Sequence, residues 1–153
     1  MKITEILDID SIKINLNVDS KNELLEQMMF LADKSGKVID REEAKQEVFE
    51  REKIMSTGVG KGIALPHAKT NAISKTIGAI AILSEPVDYD SLDGKPVNIV
   101  FLLLGMENNV GNHLRLLSKI SRLMNNDSFR GQLLQSQSSS EILDLFRKFE
   151  EKE

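Results

Sequence analysis

Two near-continuous apolar runs, at positions 77–83 (IGAIAIL) and 97–104 (VNIVFLLL), constrain the fold of this chain more than any other feature. A strand with one face in water alternates apolar and polar residues. A run that is apolar on both faces belongs inside a sheet covered on both sides. Neither run approaches the roughly 20 residues that cross a bilayer. Asp93 and Gly94 lie between them and mark a turn.

The flanking sequence supplies the cover. Ile12, Ile14, Leu16 and Val18 alternate with Lys13, Asn15 and Asn17, which predicts a half-buried strand. Ser20 with Glu23 forms a capping box ahead of Leu24, Leu25, Met28, Met29, Leu31 and Ala32 at helical spacing, with Gly36 as the stop. Asp40 with Glu43 opens a second helix running to about Arg51. Beyond the apolar runs, a helix is expected over about 111–125, with Leu114, Leu117, Ile120, Ser121 and Met124 along one side. Asp127 is expected to cap a short helix carrying Phe129, Leu133 and Leu134. Ser138 with Glu141 caps a last one carrying Ile142, Leu145, Phe146 and Phe149, so the serine-rich link 136–140 reads as loop and cap. The order is strand, two helices, a block of strands, then helices. It predicts an α/β fold in which helices cover both faces of a mixed sheet, as one domain over 1–153.

Composition narrows the chemistry. The 153 residues carry a net charge of −4, with lysines and arginines scattered, which argues against a nucleic-acid footprint. The N-terminus has acids early and no apolar signal core, which predicts a cytoplasmic protein without membrane insertion. The absence of cysteine removes thiolate nucleophiles and Cys-ligated metals. The two histidines, His67 and His113, are the candidates for nucleophilic or acid–base chemistry near neutral pH.

His67 ends the segment TGVGKGIALPHA, positions 57–68. No Gly-Lys-Ser/Thr is present, since Gly62 follows Lys61, so this is not a Walker phosphate loop. Gly58 and Gly60 lack a third glycine at Ile63, and Pro66 opposes a following helix, so it is not a dinucleotide fingerprint. No nucleotide cofactor is expected. What remains is an irregular glycine-rich stretch over 56–62 leading into a short strand that ends in Pro66 and His67, at the rim of a sheet. A neutral imidazole is nucleophilic near pH 7 and can form a labile N–P bond. A hydrogen bond from either ring nitrogen to a backbone carbonyl would leave the other free to attack. A transferring phosphoryl group favours nearby cations and donors. Arg51 and His113 are the best candidates, with Ser56 and Thr57 as further phosphate-binding donors. Arg51 has a plainer alternative, pairing with Glu47 one helical turn away.

The signature beginning at Glu52 and closing on Val59, Gly60, Ile63, Ala64, Leu65, Pro66, His67 and Ala68 resembles the enzyme IIA domains of the fructose/mannitol class of the bacterial phosphoenolpyruvate-dependent sugar phosphotransferase system. Nitrogen-regulatory IIA proteins share it. The resemblance implies that His67 is the phosphorylated residue and that Arg51 and His113 stabilise the phosphoryl group. It implies a phosphorylated HPr-type donor, and as acceptor either a IIB domain, through its cysteine, or a regulatory target. Sugar uptake and regulation are therefore the two functions in competition. A zinc or structural module built on His67 and His113 is a third, weakened because two histidines need carboxylates to complete a site. Docking is expected on a shallow apolar surface around His67, to which Val59, Ile63 and Leu65 could contribute, although Ile63 and Leu65 could equally be core.

Overall fold

The computed structural model describes residues 1–152. A short helix α1 (Ile3–Ile6) leads into strand β1 (Leu7–Leu16), followed by helices α2 (Lys21–Asp33) and α3 (Arg41–Ile54). Five strands come next: β2 (Gly58–Gly60), β3 (Ile63–Ala64), β4 (His67–Thr70), β5 (Ile77–Val87) and β6 (Val97–Met106). Helices α4 (Val110–Met124), α5 (Asp127–Gln135) and α6 (Ser139–Glu151) close the chain. The sheet runs β1-β5-β6-β3-β2, and β4 also pairs with β6. Strand β1 is parallel to β5, β5 is antiparallel to β6, and both β3 and β4 are parallel to β6. The sheet is thus mixed and covered on both faces, as the two apolar runs require.

Pairing of β5 with β6 shows why those runs are apolar throughout. Ala79 faces Leu102 and Ile80 faces Phe101 across the ladder. One set of alternate residues, Ala79, Ala81, Val100, Leu102 and Leu104, joins the core beneath α2 and α3. The other set, Ile80, Ile82, Ile99, Phe101 and Leu103, joins the core beneath α4, α5 and α6. Small alanines on the first face leave room for Leu24, Leu25, Met28 and Met29 of α2. On the second face Phe101, Phe129 and Phe146 meet edge to face, with centroids 5.0 Å (Phe129–Phe146) and 5.8 Å (Phe101–Phe146) apart.

Ser20, Asp40 and Ser138 cap their helices as expected, each side chain accepting from the backbone N–H three residues on. Four expectations are corrected. Strand β1 begins at Leu7, ahead of the predicted alternation, because register shifts break its period and bury Ser11 and Ile12 side by side. The glycine-rich stretch is a hairpin of β2 on β3, with Lys61 and Gly62 at positive φ in its turn. Helix α5 is capped by Asn126, and Asp127 lies in its first turn. The buried face of α4 runs through His113, Leu116, Ile120, Leu123 and Met124, so that Leu114 is 58% exposed. Among the described residues no helix is long and apolar enough to cross a membrane.

Candidate functional site

The β2–β3 hairpin delivers His67. Strand β3 runs beside Ile99 and Val100 of β6, the ladder breaks at Leu65 and Pro66, and β4 resumes it with His67 opposite Leu103. The Pro66 carbonyl still accepts from the Leu103 N–H at 3.0 Å, so the interruption stays in register. Proline lacks an N–H and cannot be a full ladder member, which is why the break falls there. The His67 side chain turns back on its own strand, with Nδ1 2.8 Å from the Leu65 carbonyl oxygen. A carbonyl only accepts, so Nδ1 carries the hydrogen and Nε2 keeps the free electron pair. Burial, opposed by the Leu65 bond and helped by the Arg51 charge, holds the ring below the ordinary histidine pKa of 6.5. It is neutral at pH 7.

His113 lies beside it, the two ring centroids 5.8 Å apart. It is the inward residue of the first turn of α4 and is only 4% exposed. It fits because Gly105 of β6 has no side chain. A Cβ built there would lie 2.2 Å from His113 Nδ1. That Nδ1 is buried with no hydrogen-bond partner. An N–H there would be a stranded donor, so Nδ1 carries the lone pair and Nε2 the hydrogen. Burial first, then the charges of His67 and Lys69, lower the His113 pKa to about 4. A depressed histidine adds stability above its unfolded pKa of about 6.5 and loses it as pH falls toward the folded value. Between pH 6.5 and 4 the unfolded chain takes up a proton that the folded chain refuses. The fold should therefore lose about 2 kcal/mol by pH 5 on account of this one ring. Thermal melts of wild type and His113→Gln between pH 7 and 5 check this: the wild type should fall more steeply, and parallel curves would refute it.

Both rings line an open groove of about 800 Å³ between α3, β4 and α4. Arg51, Lys69, Glu47 and Glu107 also line it, with Ile54, Leu114 and Leu117 on its apolar walls. Arg51 donates from Nη1 to the Met55 carbonyl at 3.3 Å, while the Glu47 carboxylate accepts from the Thr70 hydroxyl at 2.9 Å. The structure thus brings His67, His113 and Arg51 to one groove and keeps Ser56 and Thr57 out of it. Ser56 Oγ donates to the Tyr89 carbonyl at 3.2 Å and accepts from the Gly58 N–H at 3.1 Å. Thr57 is buried, its hydroxyl bonded to the Glu52 carboxylate. Both hydroxyls hold the hairpin in place and are committed to it. Ile63 and Leu65 are core residues, not docking residues, while Val59 is half exposed.

Sequence reasoning missed Lys69. Its signal was the period of a strand, two residues beyond His67 and so on the same face. Lys69 stands opposite Gly105 in the ladder, next to the space His113 fills. Among the described residues no three or more of His, Cys, Asp and Glu gather as a metal ion would need.

Residues 5–149 match the family described as phosphoenolpyruvate-dependent sugar phosphotransferase system, EIIA 2. The fructose-specific EIIABC component of Bacillus subtilis is 39% identical over 145 residues, which are 95% of this chain and 23% of that protein. The fructose-specific EIIA component of Haloferax volcanii is 35% identical over 94% of this chain and 93% of its own length. Among solved structures, the nitrogen regulatory protein IIA-Ntr of Neisseria meningitidis superposes with a TM-score of 0.84 at 35% identity, covering 94% of this chain and 98% of that one. The chain belongs to the EIIA 2 family of the phosphoenolpyruvate-dependent sugar phosphotransferase system.

Proposed function

We propose that this chain is a phosphoryl carrier that accepts a phosphoryl group on His67 Nε2 from an HPr-type donor and passes it to a IIB domain during sugar uptake. The observation that carries the reading is the bond from Nδ1–H of His67 to the Leu65 carbonyl, which leaves Nε2 unprotonated at the groove. In the first step the Nε2 electron pair attacks phosphorus as the donor's N–P bond breaks. That bond's electron pair returns to the donor imidazole. In the second step a IIB thiolate attacks phosphorus and the His67 Nε2–P bond breaks, its pair returning to Nε2. No proton need leave His67 in either direction, because Nδ1–H stays on Leu65 throughout. The Nε2–H of His113 and the cations Arg51 and Lys69 meet the charge that spreads over the phosphoryl oxygens. The apolar rim, with Ile54 and Leu114 exposed, suits a protein partner better than a small molecule.

A second reading is regulatory. It draws on the 35% identity to a nitrogen regulatory protein over nearly the whole chain. The chemistry on His67 is unchanged, and the phosphorylation state then selects a regulatory target. Incubation with phosphoenolpyruvate, enzyme I and an HPr-type protein should add one phosphoryl group to His67, which a IIB domain then removes. A chain that takes no phosphoryl group refutes the proposal. One that takes it, gives none to any IIB cysteine, and binds a non-sugar target in only one phosphorylation state favours the second reading.

A further inference from the structure

Outside the groove lies a buried polar cluster that the phosphoryl chemistry does not touch. Glu52, in the last turn of α3, is buried. Its Oε2 pairs with the Lys21 ammonium at 3.0 Å and accepts from the Thr57 N–H at 3.2 Å. Its Oε1 accepts from the Thr57 hydroxyl, and from the Tyr89 hydroxyl at 3.0 Å. Lys21 also sits over the Tyr89 ring, 4.4 Å from its centroid. Burial and the Glu52 charge push the Tyr89 phenol up, so it stays a donor.

The chain of contacts continues from Thr57. Its carbonyl accepts from the Leu65 N–H at 2.9 Å. The Leu65 carbonyl accepts from His67 Nδ1–H at 2.8 Å. A line of three hydrogen bonds therefore runs from a buried carboxylate, by way of the Thr57 and Leu65 backbones, to the imidazole. The N–H and the carbonyl of one residue belong to neighbouring peptide units, so the line works by position, while the negative charge of the carboxylate acts on the ring through space and favours a proton on it. The line also fixes the Leu65 carbonyl in space at the place where the sheet ladder is broken and no strand neighbour holds it.

We propose that Glu52 is a positioning residue, whose carboxylate acts through Thr57 and Leu65 to hold His67 in the Nδ1–H tautomer. The inference rests on the reading that His67 Nε2 is the attacking atom. It explains why a charged side chain is buried under a hairpin whose other job is mechanical: an apolar residue could pack there, but it would neither anchor the Thr57 N–H nor place a negative charge near the ring. Lys21 balances the charge from α2, and Tyr89 fixes the second oxygen from the β5–β6 connection. Three separated parts of the chain thus converge on the carboxylate that orients one ring.

Long-range proton–nitrogen NMR of the His67 ring reads the tautomer directly. At pH 8 wild type should be almost wholly Nδ1–H. In Glu52→Gln the Nε2–H form should grow by about threefold to tenfold. The pH profile of phosphorylation should move to lower pH, because Glu52 supports the protonated ring while Arg51, Lys69 and His113 stay in place. Tyr89→Phe changes no charge and removes one donor from the carboxylate. The carboxylate charge is then less compensated by its partners and acts more strongly on the ring, so His67 should titrate at slightly higher pH, opposite to Glu52→Gln. Opposite signs are not what general loosening produces. An unchanged tautomer in folded Glu52→Gln overturns the inference, as does a Tyr89→Phe shift that is absent or downward, even where the Gln variant does not fold. Failure of wild type to accept a phosphoryl group would sink the carrier reading instead, and leaves the tautomer data to stand separately.

Discussion

His67→Gln should lose phosphoryl acceptance by at least about 10³-fold while folding as the wild type does. Glutamine keeps a donor that can reach the Leu65 carbonyl, and it keeps most of the volume. What it lacks is a second nitrogen with a free electron pair. No other group in the groove can substitute. The His113 lone pair is on Nδ1, buried against Gly105. Intact-mass measurement after incubation with a phosphorylated HPr-type donor gives the answer, with matched thermal melts as the control for folding. Labelling of the variant at the wild-type rate would move the chemistry off His67 altogether.

Gly105→Ala should be nearly as damaging, though it adds one methyl group and removes nothing. The new Cβ would lie 2.2 Å from His113 Nδ1 and 2.9 Å from its Cγ. It is attached to the backbone of β6, where Gly105 pairs with Lys69 and the preceding Leu104 pairs with both Ile77 and Ala68, so the strand yields little. The ring of His113 must move instead, and its helix with it. Overpacking of this kind costs about 1–3 kcal/mol. A displacement of about 1 Å in a group aimed at the transferring phosphoryl is enough to slow transfer about 10²-fold. Melting temperature and the single-turnover rate should fall together. A variant that keeps both would show that His113 does not need this seat.

Much of the architecture could be read from the sequence because its signals are local. The apolar runs reported a sheet covered on both faces, and capping boxes reported where α2, α3 and α6 begin. What stayed hidden was set by long-range contact. The α4 face could not be read, because leucines at 114, 116 and 117 offer overlapping stripes. The inward one is chosen by His113 settling over a glycine on another element. Ser56 and Thr57 looked like phosphate donors because hydroxyls beside a glycine loop have that chemistry. Their partners, Tyr89 and Glu52, come from elsewhere in the fold and had already taken them. Arg51 was visible as a cation and placeable only by structure, since helix spacing offered Glu47 as an equally good neighbour. Glu52 was legible as the first residue of a signature, but its burial was not.

The His67 ring is carried by the opening residue of a strand hydrogen-bonded into the sheet, and it faces an open groove. On the proposed reading a partner meets the ring directly across that groove. The pace of handover is then set by how quickly two macromolecules collide in a productive orientation and part again. A carrier built like this behaves as a fixed electrode in a circuit of diffusing neighbours: throughput follows their abundance and the complementarity of their surfaces.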